Sequence, residues 1–229
     1  MLLVRHGFAT LKPVTPAPKT SATSAASQAF AEAFVEESNA AAAARAKAAD
    51  MSVDCISQAG AALLTLLAAT LRARNAVEVG TGTGVASVAL LAGMVPDGVL
   101  TSIDVENELQ LHAREVLTAA GIPGRRARLI AGSALTVLPK LTDGAYDLVF
   151  IDGDPLEYVE YVAQADRLLR SGGLLVLHHA LWQGKVADPE NEDDEPLIIS
   201  EALDAVRDLE GFTAALVPVG DGLLIAVKA

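Results

Sequence analysis

The sequence predicts an α/β fold: a Rossmann-like, doubly wound, mostly parallel seven-stranded sheet with a C-terminal antiparallel hairpin strand. Three observations carry this expectation. Near-continuous apolar runs, among them Tyr146–Ile151 and Leu174–Leu177, read as strands buried on both faces, the mark of a parallel sheet covered by helices. From residue 54 onward such runs alternate with helix-length segments. A Gly-rich turn stands between the first of these strands and the next helix.

The elements follow in order. Residues 1–23 hold Pro13, Pro16 and Pro18 among Ser, Thr and Lys without periodicity, and read as a flexible tail. Residues 24–52 read as a helical arm, with a single Ala-rich helix over about 24–49. Phe30 and Phe34 share a face there, beside Val35, so the arm is either loosely attached or packs on a partner subunit or over a site. Residues 53–229 read as one domain. It starts with a helix at about 57–72, a strand at 76–79, a helix at 84–94 and a strand at 99–103. A helix at 107–120, a strand at 127–130 and a short helix near 134–141 come next. The strand at 146–151 leads to a helix at 156–170 and a strand at 174–177. A helix at 197–209 precedes two strands, 213–217 and 223–227, which the Gly220-Asp221-Gly222 turn joins as a hairpin.

Composition bounds the function. The chain has 229 residues, enough for one domain with a sizeable core. Against 29 Asp and Glu stand 17 Lys and Arg, a net charge of −12, which argues against a nucleic-acid partner. One Cys excludes an internal disulfide and fits a reducing compartment; Cys55 itself reads as a small core hydrophobe. No apolar run reaches membrane-spanning length, and no secretory signal is evident, so the expectation is a cytoplasmic protein without a membrane partner. The opening Arg5-His6-Gly7 matches the start of the histidine phosphatases, but a Pro/Ser/Thr stretch follows at once and nothing later in the chain supports that reading. The acid-rich run 188–195 reads as a solvated loop or as the acidic first turn of the helix after it.

The turn reads Gly80-Thr81-Gly82-Thr83-Gly84, with Glu78 two residues upstream and Asp104 ending the second strand, 20 residues after Gly84. Glycines let a ligand approach the backbone, and the helix N-terminus supplies donors. A carboxylate at the end of the second strand suits ribose hydroxyls, so the ligand carries a nucleoside. Val85 replaces the third glycine of the dinucleotide fingerprint, and Glu78 beside the turn suits a cationic ammonium and would repel a pyrophosphate. This favours S-adenosylmethionine over NAD.

With these motifs in hand, the chain resembles the class I S-adenosylmethionine-dependent O-methyltransferases of the catechol and caffeoyl-CoA type, in their bacterial branch. The resemblance covers about residues 53–229. It rests on AVEVGTGTG, TSIDVENE, AYDLVFIDGD, LLRSGGLLVL and ALWQGKVADP, in order and in register. It implies that Glu78, Gly80 and Thr81 line the methionine end, that Asp104 holds the ribose and that Val105 lies against the adenine. It further implies that Ile56 and Ser57 close over the cofactor and that Ala134 offers a backbone contact to the adenine. Ala86 stands where many members have a Ser that touches the methionine carboxylate, with Ser87 next to it. Asp152 matches the first acid of the family's D-x-D element, a metal ligand, and Asp154 the second, near the cofactor. The resemblance also implies a homodimer and a small, phenolic acceptor.

The catalytic end departs from that pattern. Where the family has its second metal-binding Asp and its Asn, this chain has His178-His179, and Pro155 replaces the usual Lys. Three readings of the pair stand open. With Asp152 the two imidazoles form a set suited to a zinc- or iron-like ion rather than magnesium, provided the strand has ended before them. Alternatively His178 is a general base for a phenolic hydroxyl, with no metal. The third reading is structural. Trp182 and Leu181 can wall an acceptor pocket or simply pack. The function expected is methyl transfer from S-adenosylmethionine to a hydroxyl of a small aromatic molecule. The alternatives are a cofactor-binding protein with a degenerate catalytic end, and an NAD-dependent oxidoreductase.

Overall fold

The structure, a computed structural model, describes residues 24–229. The tail reading at 1–23 and the Arg5-His6-Gly7 motif lie outside the described residues. Two helices open the described chain, α1 (Ala25–Glu32) and α2 (Asn39–Met51). They replace the single helix expected over 24–49. At the end of α1 the Glu32 carboxylate accepts from Ala59 N at 3.0 Å and Ser57 Oγ at 3.2 Å, which ties this helix to the one that follows α2. Ser38 then caps α2, its side chain accepting from Ala41 N. Helix α1 buries no residue, and Phe30 and Phe34 are 69% and 72% exposed. Helix α2 is different, because Ala41 and Ala44 join the apolar core formed with the helices that follow.

The alternation then runs as expected: α3 (Gln58–Leu71), β1 (Asn75–Val79), α4 (Val85–Gly93), β2 (Val99–Asp104), α5 (Asn107–Ala119) and β3 (Ala127–Ala131). A short α6 (Ala134–Val137), β4 (Tyr146–Ile151), α7 (Tyr158–Leu168) and β5 (Leu169–Leu177) follow. Helix α8 (Asp194–Asp208) and the hairpin β6 (Phe212–Val217) and β7 (Leu223–Lys228) complete the domain. Of the acid-rich run, Asp194 and Glu195 stand in the first turn of α8, where they complement the helix dipole.

The seven strands lie in the order β3-β2-β1-β4-β5-β7-β6. The first five are parallel, and β7 runs antiparallel to both neighbours. Strands β4 and β5 are buried over most of their length, as their apolar runs require. One apolar layer joins α2, α3 and α4 to one face of the sheet; α7 and α8 cover the other. Strand β6 forms one edge, and its middle four residues are exposed. Asp147 ties the near end of the sheet, accepting from Arg74 N, Asn75 N and Arg170 Nε at 2.7, 2.9 and 2.7 Å. Burial opposes its charge, but these donors outweigh it and hold the carboxyl below its ordinary range.

The chain leaves β1 for α4 on one side and enters β4 beside it, so strand order reverses between β1 and β4. In open α/β sheets that crevice, at the carboxyl ends of the strands, is where ligands bind. No described helix is long and apolar enough to cross a membrane.

Candidate functional site

A cavity of about 480 Å³ opens at that crevice, walled by the turn after β1, the end of β2 and the segment after β4. The turn's shape is set by its glycines. Gly80 and Gly82 have φ of +89° and +49°, the left-handed region. A β-carbon on Gly80 would overlap the carbonyl oxygen of Asp152, whereas one on Gly82 would meet nothing within 4 Å. Gly80 therefore lets two strand ends meet, and Gly82 leaves space for a ligand.

Asp104 ends β2 at the cavity wall. Its Oδ2 accepts from Gly82 N and its Oδ1 from Glu106 N, both at 2.8 Å. Gly80, Thr81, Ala86, Val105, Ala134, Asp152, Asp154 and Ile56 also line this cavity. Thr81 lies beneath the floor, its hydroxyl 2.6 Å from Ser102 Oγ and accepting from Gln110 Nε2 at 3.0 Å. Val105 is 66% exposed, an apolar surface open to a flat ring. Asp154 also caps the short helical turn at Pro155–Glu157, accepting from Leu156 N.

Glu78 and Ser87 are not on the cavity wall. Both are fully buried under the turn, and Ser87 Oγ donates to Glu78 Oε2 at 2.5 Å. Ser87 is thus committed to Glu78 and does not take over the contact expected beside Ala86. Among the described residues Glu78 Oε1 has no partner. Burial pushes the Glu78 carboxyl up to about 8, despite the hydroxyls of Ser102 and Ser87, which favour its anion. An unpaired buried carboxyl of this kind is costly unless a cation approaches.

The imidazole pair stands at the far end of the cavity. Strand β5 ends at Leu177, and His179 has φ +54°, so the two side chains do not splay to opposite faces. Their ring centroids lie 3.9 Å apart. His178 is 2% exposed, and its Nδ1 lies 2.7 Å from Asp152 Oδ1. A carboxylate only accepts, so Nδ1 carries the proton. Burial opposes the charged ring, but the Asp152 carboxylate outweighs it and raises the His178 pKa. His178 lines not the first cavity but a second one of about 290 Å³, beside it. His179 lines both. Its Nε2 lies 3.7 Å from Asp152 Oδ1, and its Nδ1 lies 2.8 Å from Asp221 Oδ2. Trp182 and Gln183 also have positive φ, at 43° and 55°. Three non-glycine residues in this region within five positions concentrate backbone strain of about 1–3 kcal/mol each beside the site.

One carboxylate oxygen and two imidazole nitrogens of Asp152, His178 and His179 all lie within 4.8 Å of one another. This donor set does not fit the magnesium-like ion that the family resemblance implies, because such ions take oxygen ligands. No step below passes through a metal.

Sequence reasoning missed several residues. Asp221 reaches His179 across 42 positions, and only its place in a Gly-Asp-Gly turn marked it. Arg45, on α2, donates to Ile56 O at 2.7 Å and so holds the segment over the cavity. Thr83 Oγ1 donates to Ala44 O at 2.8 Å, which fixes α2 to the Gly turn. Neither contact has a local sequence signal.

Comparison with known proteins places this geometry. A family model described as O-methyltransferase matches residues 23–229. Rv1220c of Mycobacterium tuberculosis, described as a probable O-methyltransferase, is 46% identical over 200 residues, spanning 87% of this chain and 89% of the relative. A crystal structure of a Corynebacterium glutamicum protein superposes with a TM-score of 0.82 at 32% identity, over 88% of this chain and 95% of that one. The O-methyltransferase TomG of Streptomyces achromogenes, involved in tomaymycin synthesis and solved in complex with SAM, gives 0.80 at 27% identity, over 88% and 94%.

Proposed function

The chain belongs to the O-methyltransferase family, and on that premise we propose that it transfers a methyl group from S-adenosylmethionine to a hydroxyl of a small phenolic acceptor. The observation that carries the cofactor is the charge of the cavity. Asp54, Asp104, Asp152, Asp154 and Glu157 line it, and no Lys or Arg among the described residues does. Such walls suit a cationic sulfonium and ammonium and oppose the pyrophosphate of NAD. The SAM bound to TomG supports the same choice.

Bound there, S-adenosylmethionine supplies a methyl group already made electrophilic by its sulfonium. The chain's own residues position the partners and handle one proton. Asp104 offers its carboxylate to the ribose hydroxyls. Val105 and Ala134 flank the adenine, and Ile56 closes over it. Glu78, which burial keeps protonated in the cofactor-free protein near neutral pH, releases that proton as the ammonium approaches and then favours it from beneath the turn. The acceptor oxygen forms its bond to the methyl carbon as the carbon–sulfur bond breaks, and the hydroxyl's proton passes to the imidazole–carboxylate cluster of Asp152, His178 and His179. The raised His178 pKa favours holding positive charge there.

The exposed Phe30 and Phe34 on α1 support a homodimer in which this helix meets a second copy. The net charge of −12 and the free Cys55 support a cytoplasmic protein that binds no nucleic acid. A mass-detected methylation screen of phenols and catechols tests the reaction. Methylated product is expected; tight NAD binding with no S-adenosylhomocysteine binding would overturn the assignment.

A further inference from the structure

Asp221 is more tightly engaged than a hairpin turn requires. Its Oδ2 takes His179 Nδ1 at 2.8 Å and its Oδ1 takes Gln183 N at 2.5 Å. Its backbone oxygen accepts from Leu181 N at 2.9 Å, and the next carbonyl, of Gly222, accepts from Ala180 N at 3.2 Å. Gly222 has φ +87°, and a β-carbon there would run into the Leu181 backbone. The β6–β7 turn is thus fastened along the whole segment 179–183, the segment that holds the left-handed backbone at His179.

The result is a defined imidazole. With Nδ1–H given to the Asp221 carboxylate, the neutral ring has its lone pair on Nε2. His179 borders both cavities, so its ring stands between the space proposed for the methyl donor and the space beside it. The second cavity is also lined by His178, which makes no hydrogen bond from its ring beyond Nδ1 among the described residues.

We propose that the second cavity seats the acceptor, and that Asp221 is the positioning residue that aims His179 Nε2 at the acceptor's hydroxyl. This rests on the methyltransferase reading above and adds to it the arm of the imidazole cluster that touches the substrate. His179 Nε2 takes the hydroxyl's hydrogen bond. Asp152, 3.7 Å from that nitrogen, faces the charge that develops on the ring, and His178 holds Asp152 in place.

The test uses the full chain with S-adenosylhomocysteine bound and the variants Asp221→Asn and His179→Asn. Long-range proton–nitrogen NMR reads the tautomer of each histidine. In the parent protein His179 is expected to carry its proton on Nδ1; Asp221→Asn should shift it toward Nε2 while His178 keeps its pattern. Calorimetry should show S-adenosylhomocysteine affinity changed by less than about twofold. With catechol as the probe acceptor, Asp221→Asn should lower kcat by about 10- to 100-fold with the KM for S-adenosylmethionine unchanged, and adding it to His179→Asn should cost nothing further. A parent His179 protonated on Nε2, or a tautomer indifferent to Asp221→Asn, overturns the proposal. So does full additivity of the two variants. If the parent methylates no phenol at all, the phenolic reading falls, and the NMR result still decides the role of Asp221.

Discussion

The carbonyl oxygen of Asp152 occupies the space in which a β-carbon on Gly80 would stand. The first turn of the cofactor cavity and the first acid of the catalytic end are therefore packed backbone to backbone. Asp152 N also donates to Val79 O at 2.8 Å, one residue before that glycine. These two contacts position the Gly turn and Asp152 together.

Gly80→Ala should consequently unfold the site, with a stability loss of about 3 kcal/mol or more, because backbone must move and φ is +89°. Gly82→Ala, with open space around it, should cost only about 1–2 kcal/mol in stability. It should instead weaken S-adenosylhomocysteine binding, since the added methyl points into free cavity. Denaturant melts and calorimetry on both variants separate the two effects; equal stability losses would contradict this account.

Asp104→Ala should weaken S-adenosylhomocysteine binding by about 100-fold or more, the scale of two hydrogen bonds to a charged group. Asp104→Asn, which can still accept from Gly82 N, should fall in between. Unchanged affinity in Asp104→Ala would remove the residue from the ribose site.

Glu78 should make the cofactor-free protein less stable as pH rises. Its carboxyl titrates near 4.5 when unfolded and at about 8 when folded. Between those values the folded state keeps a proton that the unfolded state has released. The favourable contribution is complete below pH 4.5 and is lost progressively up to about pH 8, on the order of 5 kcal/mol at the limit. His178, raised by Asp152, acts in the same direction at higher pH, so the variant Glu78→Gln isolates the first effect. It should flatten the stability profile between pH 5 and about 8 and weaken S-adenosylhomocysteine binding. Thermal melts across pH, with and without ligand, read both; an unchanged slope would show that Glu78 does not hold the proton.

If side chains alone handle the proton, activity should survive strong chelation. His179→Ala should lower kcat by about 100-fold or more, the usual scale for losing a general acid–base group, whereas His178→Ala, which removes the ring that holds Asp152, should cost less. Activity lost on chelation and restored by zinc or iron would instead place an ion on Asp152, His178 and His179.

Much of the fold was legible because burial on both faces leaves unbroken apolar runs: β4 and the Gly220–Gly222 hairpin fall where the pattern puts them, and β5 contains the expected run 174–177 but starts earlier, at Leu169. The turn and strand end that wall the first cavity were legible for a related reason. Gly80, Gly82 and Asp104 act through backbone shape and strand position, which are local. The rest depends on contacts between distant segments. Nothing near Glu32 announces that its carboxylate will accept from Ala59 N in the first turn of α3. Ser87 looks like a ligand contact until Glu78 is found beneath it. His179 and Asp221 were separate letters 42 residues apart, and only the left-handed turn after β5 joins them.

The edge strand β6 has a consequence beyond the site. Its six residues include no Lys and no Pro, its free side offers unpaired backbone groups, and its middle is exposed. Such an edge is a template for another strand. What opposes edge-to-edge pairing in dilute buffer is the mutual repulsion of molecules that each carry a net charge of −12. Salt shortens the reach of that repulsion to about 8 Å at physiological strength. Colloidal stability in this protein is accordingly an electrostatic property, best at low ionic strength and at a pH well above its isoelectric point near 4.7.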